Sequence, residues 1–219
     1  MDKTAVLIDG SFFLRRYRRL VKPRGGDALA TARYLHWYAL QHANDEGASL
    51  YRIFYYDCPP LDREVETPIG RQLIDFGGSV EAQFRRDLFS SLKRQRKLAI
   101  RLGELRDGRR WNLRPDAMDQ LLHGELAVED LADEHFSYDV RQDHLDTKIA
   151  LDVASLALKG LVQRIVLISG DSNFVPTAKL ARREGIDFVL DPMWSKISEE
   201  LFEHIDGLKT FIQKADEDV

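Results

Sequence analysis

The chain has 219 residues, 44% of them apolar and 31% charged, which excludes a disordered chain and suits one folded unit with a sizeable core. No apolar run approaches the ~20 residues of a membrane span, so no membrane partner is expected. The net charge of −4 excludes a uniformly basic nucleic-acid binder, yet the basic residues cluster, at positions 15–24 and again at 85–101, which permits a basic face beside an acidic pocket.

In chain order, residues 4–8 form a short apolar run that predicts a strand, followed by Asp9-Gly10. Ser11 is placed to cap a helix from Phe12 through the first basic group, broken at Gly25-Gly26. Asp27 caps a second helix to about Asn44, closed by Gly47. Residues 50–56 predict an aromatic-rich strand that stops at Asp57-Cys58-Pro59-Pro60, because consecutive prolines cannot continue a ladder. Residues 61–80 predict a loop with one short helix, and 81–102 a long basic helix with Phe84, Leu88, Leu92, Leu98 and Leu102 as its apolar contacts. That helix offers either an extension of a basic track or a homodimer surface. The segment at about 104–136 is the least regular. It predicts a short strand at 109–113 and helices from Pro115 and over 128–135, and it is read as an insertion within a single domain spanning 1–219.

The pattern then sharpens. A helix is expected over 146–158, a strand over 164–168, a helix over 174–184 ended by Gly185, a strand over 186–190, a helix over 197–205 and a last short strand over 208–212. Alternating strands and helices predict βαβ units and a mainly parallel sheet. The one cysteine, Cys58, excludes an internal disulfide and fits a reducing cytoplasm. The opening Met1-Asp2-Lys3-Thr4 has no cleavage pattern of a signal peptide, and the expected location is cytoplasmic.

Three strands thus end in an acid: Asp9, Asp57 and Asp171. Ligands of open α/β sheets bind at that edge. On a helical wheel, Ile149, Val153, Leu156 and Ala157 define the buried stripe of helix 146–158, and Asp146 and Asp152 fall at its two edges. Converging carboxylates repel unless a cation neutralises them, and carboxylate, amide and water oxygens suit Mg²⁺ or Mn²⁺. The chemistry implied is metal-assisted phosphodiester hydrolysis. Each acid alone also fits a plainer role: Asp146 or Asp171 as a helix cap, Asp9-Gly10 as a turn, and Asp57 as a structural residue.

Four segments resemble the NYN domain, a branch of the PIN-like nuclease superfamily. They are Val6-Leu7-Ile8-Asp9-Gly10-Ser11, Arg52-Ile53-Phe54-Tyr55-Tyr56-Asp57, Asp146-Thr147-Lys148-Ile149-Ala150-Leu151-Asp152, and Ser169-Gly170-Asp171-Ser172-Asn173-Phe174-Val175-Pro176. The resemblance implies a three-layer α/β/α fold and a metal-dependent ribonuclease. Asp9, Asp146 and Asp171 would be its main acidic site, with Asp152 and Asn173 beside them. Phe12 departs from the asparagine usual after Asp-Gly-Ser, Asn173 from the second aspartate of Ser-Gly-Asp-Ser-Asp, and Asp143-His144 from a Lys-Gly pair. On the substrate side, Arg15, Arg16, Arg19, Arg141, Ser11 and Ser172 are the candidate RNA contacts, and Phe12, Phe13 and Tyr17 either stack on bases or pack the first helix. The alternative functions are a non-catalytic RNA-binding module, favoured by Asn173 and Phe12, and a phosphatase.

Overall fold

The computed structural model describes residues 2–22 and 26–213. Strand β1 (Lys3–Asp9) leads directly into helix α1 (Gly10–Leu20), and α2 (Ala28–Ala43) returns the chain to β2 (Ser49–Asp57). The cap of α1 is the Asp9 carboxylate, which accepts from Phe12 N, and not Ser11; a residue at the strand end already has the extended backbone a cap needs. Asp27 caps α2 as expected, through Ala30 N. Pro23, Arg24 and Gly25, and with them half of the Gly25-Gly26 break, lie outside the described residues.

The next segment departs from the expectation. Residues 61–80 contain a small antiparallel hairpin, β3 (Glu64–Glu66) with β4 (Leu73–Asp75), rather than a loop with a helix. The long basic helix is two elements. Helix α3 (Val80–Leu92) stops, Lys97 takes a left-handed φ of 58°, and β5 (Leu98–Leu102) pairs in parallel with β2. The helical spacing of Phe84, Leu88 and Leu92 ends there. Leu98 and Ile100 pack on one core of the sheet and Ala99 on the other, a period of two that extends the ladder of β2.

Residues 104–143 form a second antiparallel ribbon, β6 (Glu104–Leu113) with β7 (Phe136–Asp143), joined by helix α4 (Pro115–Leu122) and two single 3₁₀ turns at 128–130 and 133–135, where one helix was expected. The next elements follow the reading closely, α5 (Leu145–Leu158), β8 (Arg164–Ile168), α6 (Val175–Arg183) and β9 (Asp187–Asp191), whereas α7 (Glu199–Glu203) is shorter than the helix expected over 197–205 and β10 (Gly207–Leu208) shares only Leu208 with the strand expected over 208–212.

Among the described residues, six strands form one parallel sheet in the order β10-β9-β8-β1-β2-β5. Alternation along β1 sends Val6 and Ile8 to a core beneath α1, α2 and α3, and Ala5 and Leu7 to a second core beneath α5, α6 and α7. This is a three-layer α/β/α architecture with its central strands buried on both faces. All three acid-bearing strand ends therefore emerge on one edge. No helix among the described residues is long and apolar enough to cross a membrane.

Candidate active site

The site forms where β1 and β8, paired from Thr4 and Arg164 to Ile8 and Ile168, release their chains. Asp9 is half-buried there. Its Oδ1 is held by Phe12 N at 3.0 Å and its Oδ2 faces the hydroxyl of Ser169, which donates at 3.4 Å. Gly10 is required by crowding: a Cβ would stand 2.5 Å from the Tyr55 ring and 2.7 Å from the carbonyl oxygen of Tyr56. The missing side chain lets the start of α1 rest on β2 and fixes the height of Asp9 above the sheet.

Beyond β8, Asp171 caps the short turn 172–174, its Oδ1 accepting from Asn173 N at 2.9 Å. The Asn173 amide then faces two acids, with Nδ2 at 3.4 Å from Asp171 Oδ2 and 3.5 Å from Asp146 Oδ2. Asp146 arrives from the first turn of α5, which starts after His144 in a left-handed conformation (φ 67°). A cleft of about 370 Å³ opens beside Asp9 and Asp171, walled also by Phe12, Arg15, Ser172 and Ser195, with Asp146 and Asn173 outside its lining.

Electrostatics mark the same group. Burial raises the Asp9 carboxyl above its ordinary range, opposed by the Phe12 amide and Arg15, while the charges of Asp57 and Asp146 push it further up. Asp146 is raised by desolvation and then by the charge of Asp171, with the Asn173 amide working in the other direction. Asp57, fully buried, is raised by burial, and Arg85 offsets that most strongly through NH1 at 2.6 Å from Oδ1.

The donor set is all oxygen-bearing, and two of its acids are disfavoured as free charges, which suits a hard divalent cation. The acids do not form a tight triad, however. Among the described residues no three His, Cys, Asp or Glu side chains stand together as a metal-holding group. The Asn173 amide occupies the space between two of them.

The remaining expected site residues divide. Arg15 and Ser172 line the cleft. Arg16 also lines it, but its guanidinium donates to the Met193 carbonyl at 2.8 and 2.5 Å, and burial lowers its pKa. Arg19 is exposed on α1, Ser11 donates to Gln142 Oε1 at 2.9 Å, and Arg141 pairs with Asp139 at 3.1 Å on the β6–β7 ribbon. Asp152 is turned to other partners: Tyr56 donates to its Oδ2 at 2.8 Å and Arg101 Nε at 3.0 Å. Six residues of helix, about 9 Å of rise, separate it from Asp146, so the two edges of the wheel do not meet at one point. Phe12, Phe13 and Tyr17 are all core residues, at most 7% exposed, and Phe12 packs over Gly170, where a Cβ would come 2.8 Å from its ring. They are not surfaces for base stacking.

Four residues escaped the sequence reading. Ser169 stands in the quoted signature but drew attention only as a strand end. Ser195 enters from the loop after β9, where Met193 and Trp194 both have positive φ. Arg85 sits in what read as a long basic helix, and Gln142 belongs to a strand that the sequence reading does not include. The alternation Phe136, Tyr138, Val140, Gln142 was the available signal for that strand.

No curated protein matches the chain. A solved structure of a protein of unknown function from Vibrio parahaemolyticus aligns over 94% of this chain and 91% of that one, at 15% identity and a TM-score of 0.45. The family comparison is specific: the model of the NYN domain matches residues 107–207, which include Asp146, Asp171 and Asn173. Residues 107–207 are thus similar to the NYN domain, a family of the PIN-like nuclease superfamily.

Proposed function

We propose that the cleft hydrolyses RNA phosphodiester bonds with the help of Mg²⁺ or Mn²⁺. The observation that carries this reading is one polar cleft lined by Asp9, Asp171 and Arg15, with Asp146 beside Asp171 through the Asn173 amide. Asp9, Asp146 and Asp171 are the residues that would hold the ion, with the Asn173 side-chain oxygen as an added donor. A bound ion supplies positive charge to the phosphoryl oxygens and makes water acidic enough to attack at neutral pH. The chain does the positioning. Arg15 holds a phosphate oxygen next to Asp9, and the Ser169 hydroxyl keeps the Asp9 carboxylate turned to the cleft. The proton released by the attacking water passes to solvent. Water adds its oxygen to phosphorus, the bond to the leaving ribose oxygen breaks, and that oxygen is protonated from solvent.

Asp9→Asn and Asp171→Asn should each lower Mn²⁺-dependent cleavage of a labelled RNA by a factor of about 100 or more, as for loss of a main charge-stabilising group. Their circular dichroism should remain that of the parent. Cleavage that persists in the double variant sinks the reading.

A second reading, a non-catalytic RNA-binding module, is favoured by the Asn173 amide nitrogen, which satisfies Asp146 and Asp171 by hydrogen bonds. It requires RNA binding that tolerates chelator together with no turnover in added Mn²⁺.

A further inference from the structure

A second cavity, of about 760 Å³, lies between the β6–β7 ribbon, the end of the β3–β4 hairpin and the first turns of α3. The ribbon has two unlike faces. Trp111 of β6 and Phe136, Tyr138, Val140 and Gln142 of β7 line the cavity, whereas Arg106, Arg110 and Arg141 gather around Asp139 on the other side. The Tyr138 ring stacks on Phe76 at 5.5 Å and meets the edge of Trp111 at 5.2 Å. The walls are therefore flat, aromatic and mutually braced.

Polar residues line the cavity on more than one side: Thr67, Asp133 and Glu134 on one, and Glu81, Arg85 and Gln142 on another. Arg85 bonds Asp57, and Gln142 donates to Asp57 Oδ1 at 3.3 Å while accepting from Ser11 on the first turn of α1. Ser11 is two residues beyond Asp9. Gln142 and Arg85 thus form a wall shared by the cavity and the neighbourhood of the acidic cleft.

We propose that this cavity is a subsite for one nucleobase of the strand bound at the acidic cleft. It rests on the hydrolase reading for the identity of that strand. The size lies within the roughly 300–1,000 Å³ of small-ligand sites. Aromatic walls offer π-faces to any base, while Gln142 and Arg85 provide amide and guanidinium groups for a base edge. A phosphate has no such reason to enter a largely apolar space and stays outside, toward Arg15. The insertion-like ribbon then serves substrate choice, and its alternation separates a base-facing side from a charged side.

The test uses the whole chain in chelator with each of the four nucleoside 5′-monophosphates at millimolar concentration, followed by titration calorimetry. At least one should bind saturably, and Ala82→Phe, which puts a ring into the cavity from α3, should weaken that binding about tenfold or more. Val140→Phe, filling the same space from β7, gives an independent variant if Ala82→Phe does not fold; the thermal midpoint of each reports folding. Saturable binding of none of the four, or binding that both folded variants leave unchanged, overturns the subsite. RNA cleavage by the parent protein is measured alongside. Cleavage without mononucleotide binding removes the subsite and leaves the hydrolase reading standing. Cavity-dependent binding without metal-dependent cleavage keeps the base site and removes the hydrolase reading.

Discussion

Asn173 is the residue whose chemistry separates the two functional readings. As an amide it donates to both Asp146 and Asp171 and adds no charge. Asn173→Asp would replace that donor by a third acid facing two others. The variant should melt at a lower temperature than the parent in chelator and show a larger rise on addition of Mn²⁺, because the added repulsion is relieved only by a cation. Equal melting shifts for the two proteins would show that position 173 does not face the ion. Asp9 and Asp146 carry a pH dependence of definite sign. Both are raised above the ordinary carboxyl value in the folded chain. Between that value and the raised one, the folded state holds protons that the unfolded state has released. Their contribution to stability is therefore greatest in acid and falls as pH rises through this window. In chelator, Asp9→Asn and Asp146→Asn should flatten the decline of melting temperature as pH rises above the ordinary carboxyl range.

Single elements depend on close approaches that have clear physical costs. Helix α1 reaches β2 only because Gly10 has no side chain, so Gly10→Ala should destabilise by about 1–3 kcal/mol, as overpacking does, measured by urea unfolding. Helix α3 is tied to the end of β2 by Arg85, whose side chain is 19% exposed while that of Asp57 is fully buried. Arg85→Ala leaves a buried carboxylate without its cation and should cost about 3–5 kcal/mol. Arg85→Ala with Asp57→Asn should recover a good part of it, since the stranded charge is removed. The elements also show where a linear pattern misleads. Leucines at 92 and 98 fit one helix by composition, but the free edge of β2 draws residues 98–102 into its ladder. The β3–β4 and β6–β7 ribbons were hard to see because short, half-exposed antiparallel strands carry weak alternation and are decided by their neighbours.

At the scale of the molecule, a ligand that binds the folded site and not the unfolded chain stabilises the whole domain. Mn²⁺ at about 100 times its dissociation constant should add about 2.7 kcal/mol, seen as a rise in melting temperature that is lost in the Asp9→Asn, Asp171→Asn double variant. Much of this molecule was legible in one dimension. Apolar runs ending in Asp9, Asp57 and Asp171 determined that strands would deliver acids, and their alternation with helices determined a parallel sheet, since each βαβ unit returns the chain in the same direction. That direction alone places all three acids on one edge. What tertiary structure decided was which acids lie near one another. Asp146 meets Asp171 through Asn173, while Asp152, six residues along the same helix, pairs with Arg101 and accepts a hydrogen bond from Tyr56. The difference is a matter of rise and partner: a helix wheel records angle but not height along the axis, and only the packed sheet puts the Arg101 cation beside one acid and the Asn173 amide beside the other.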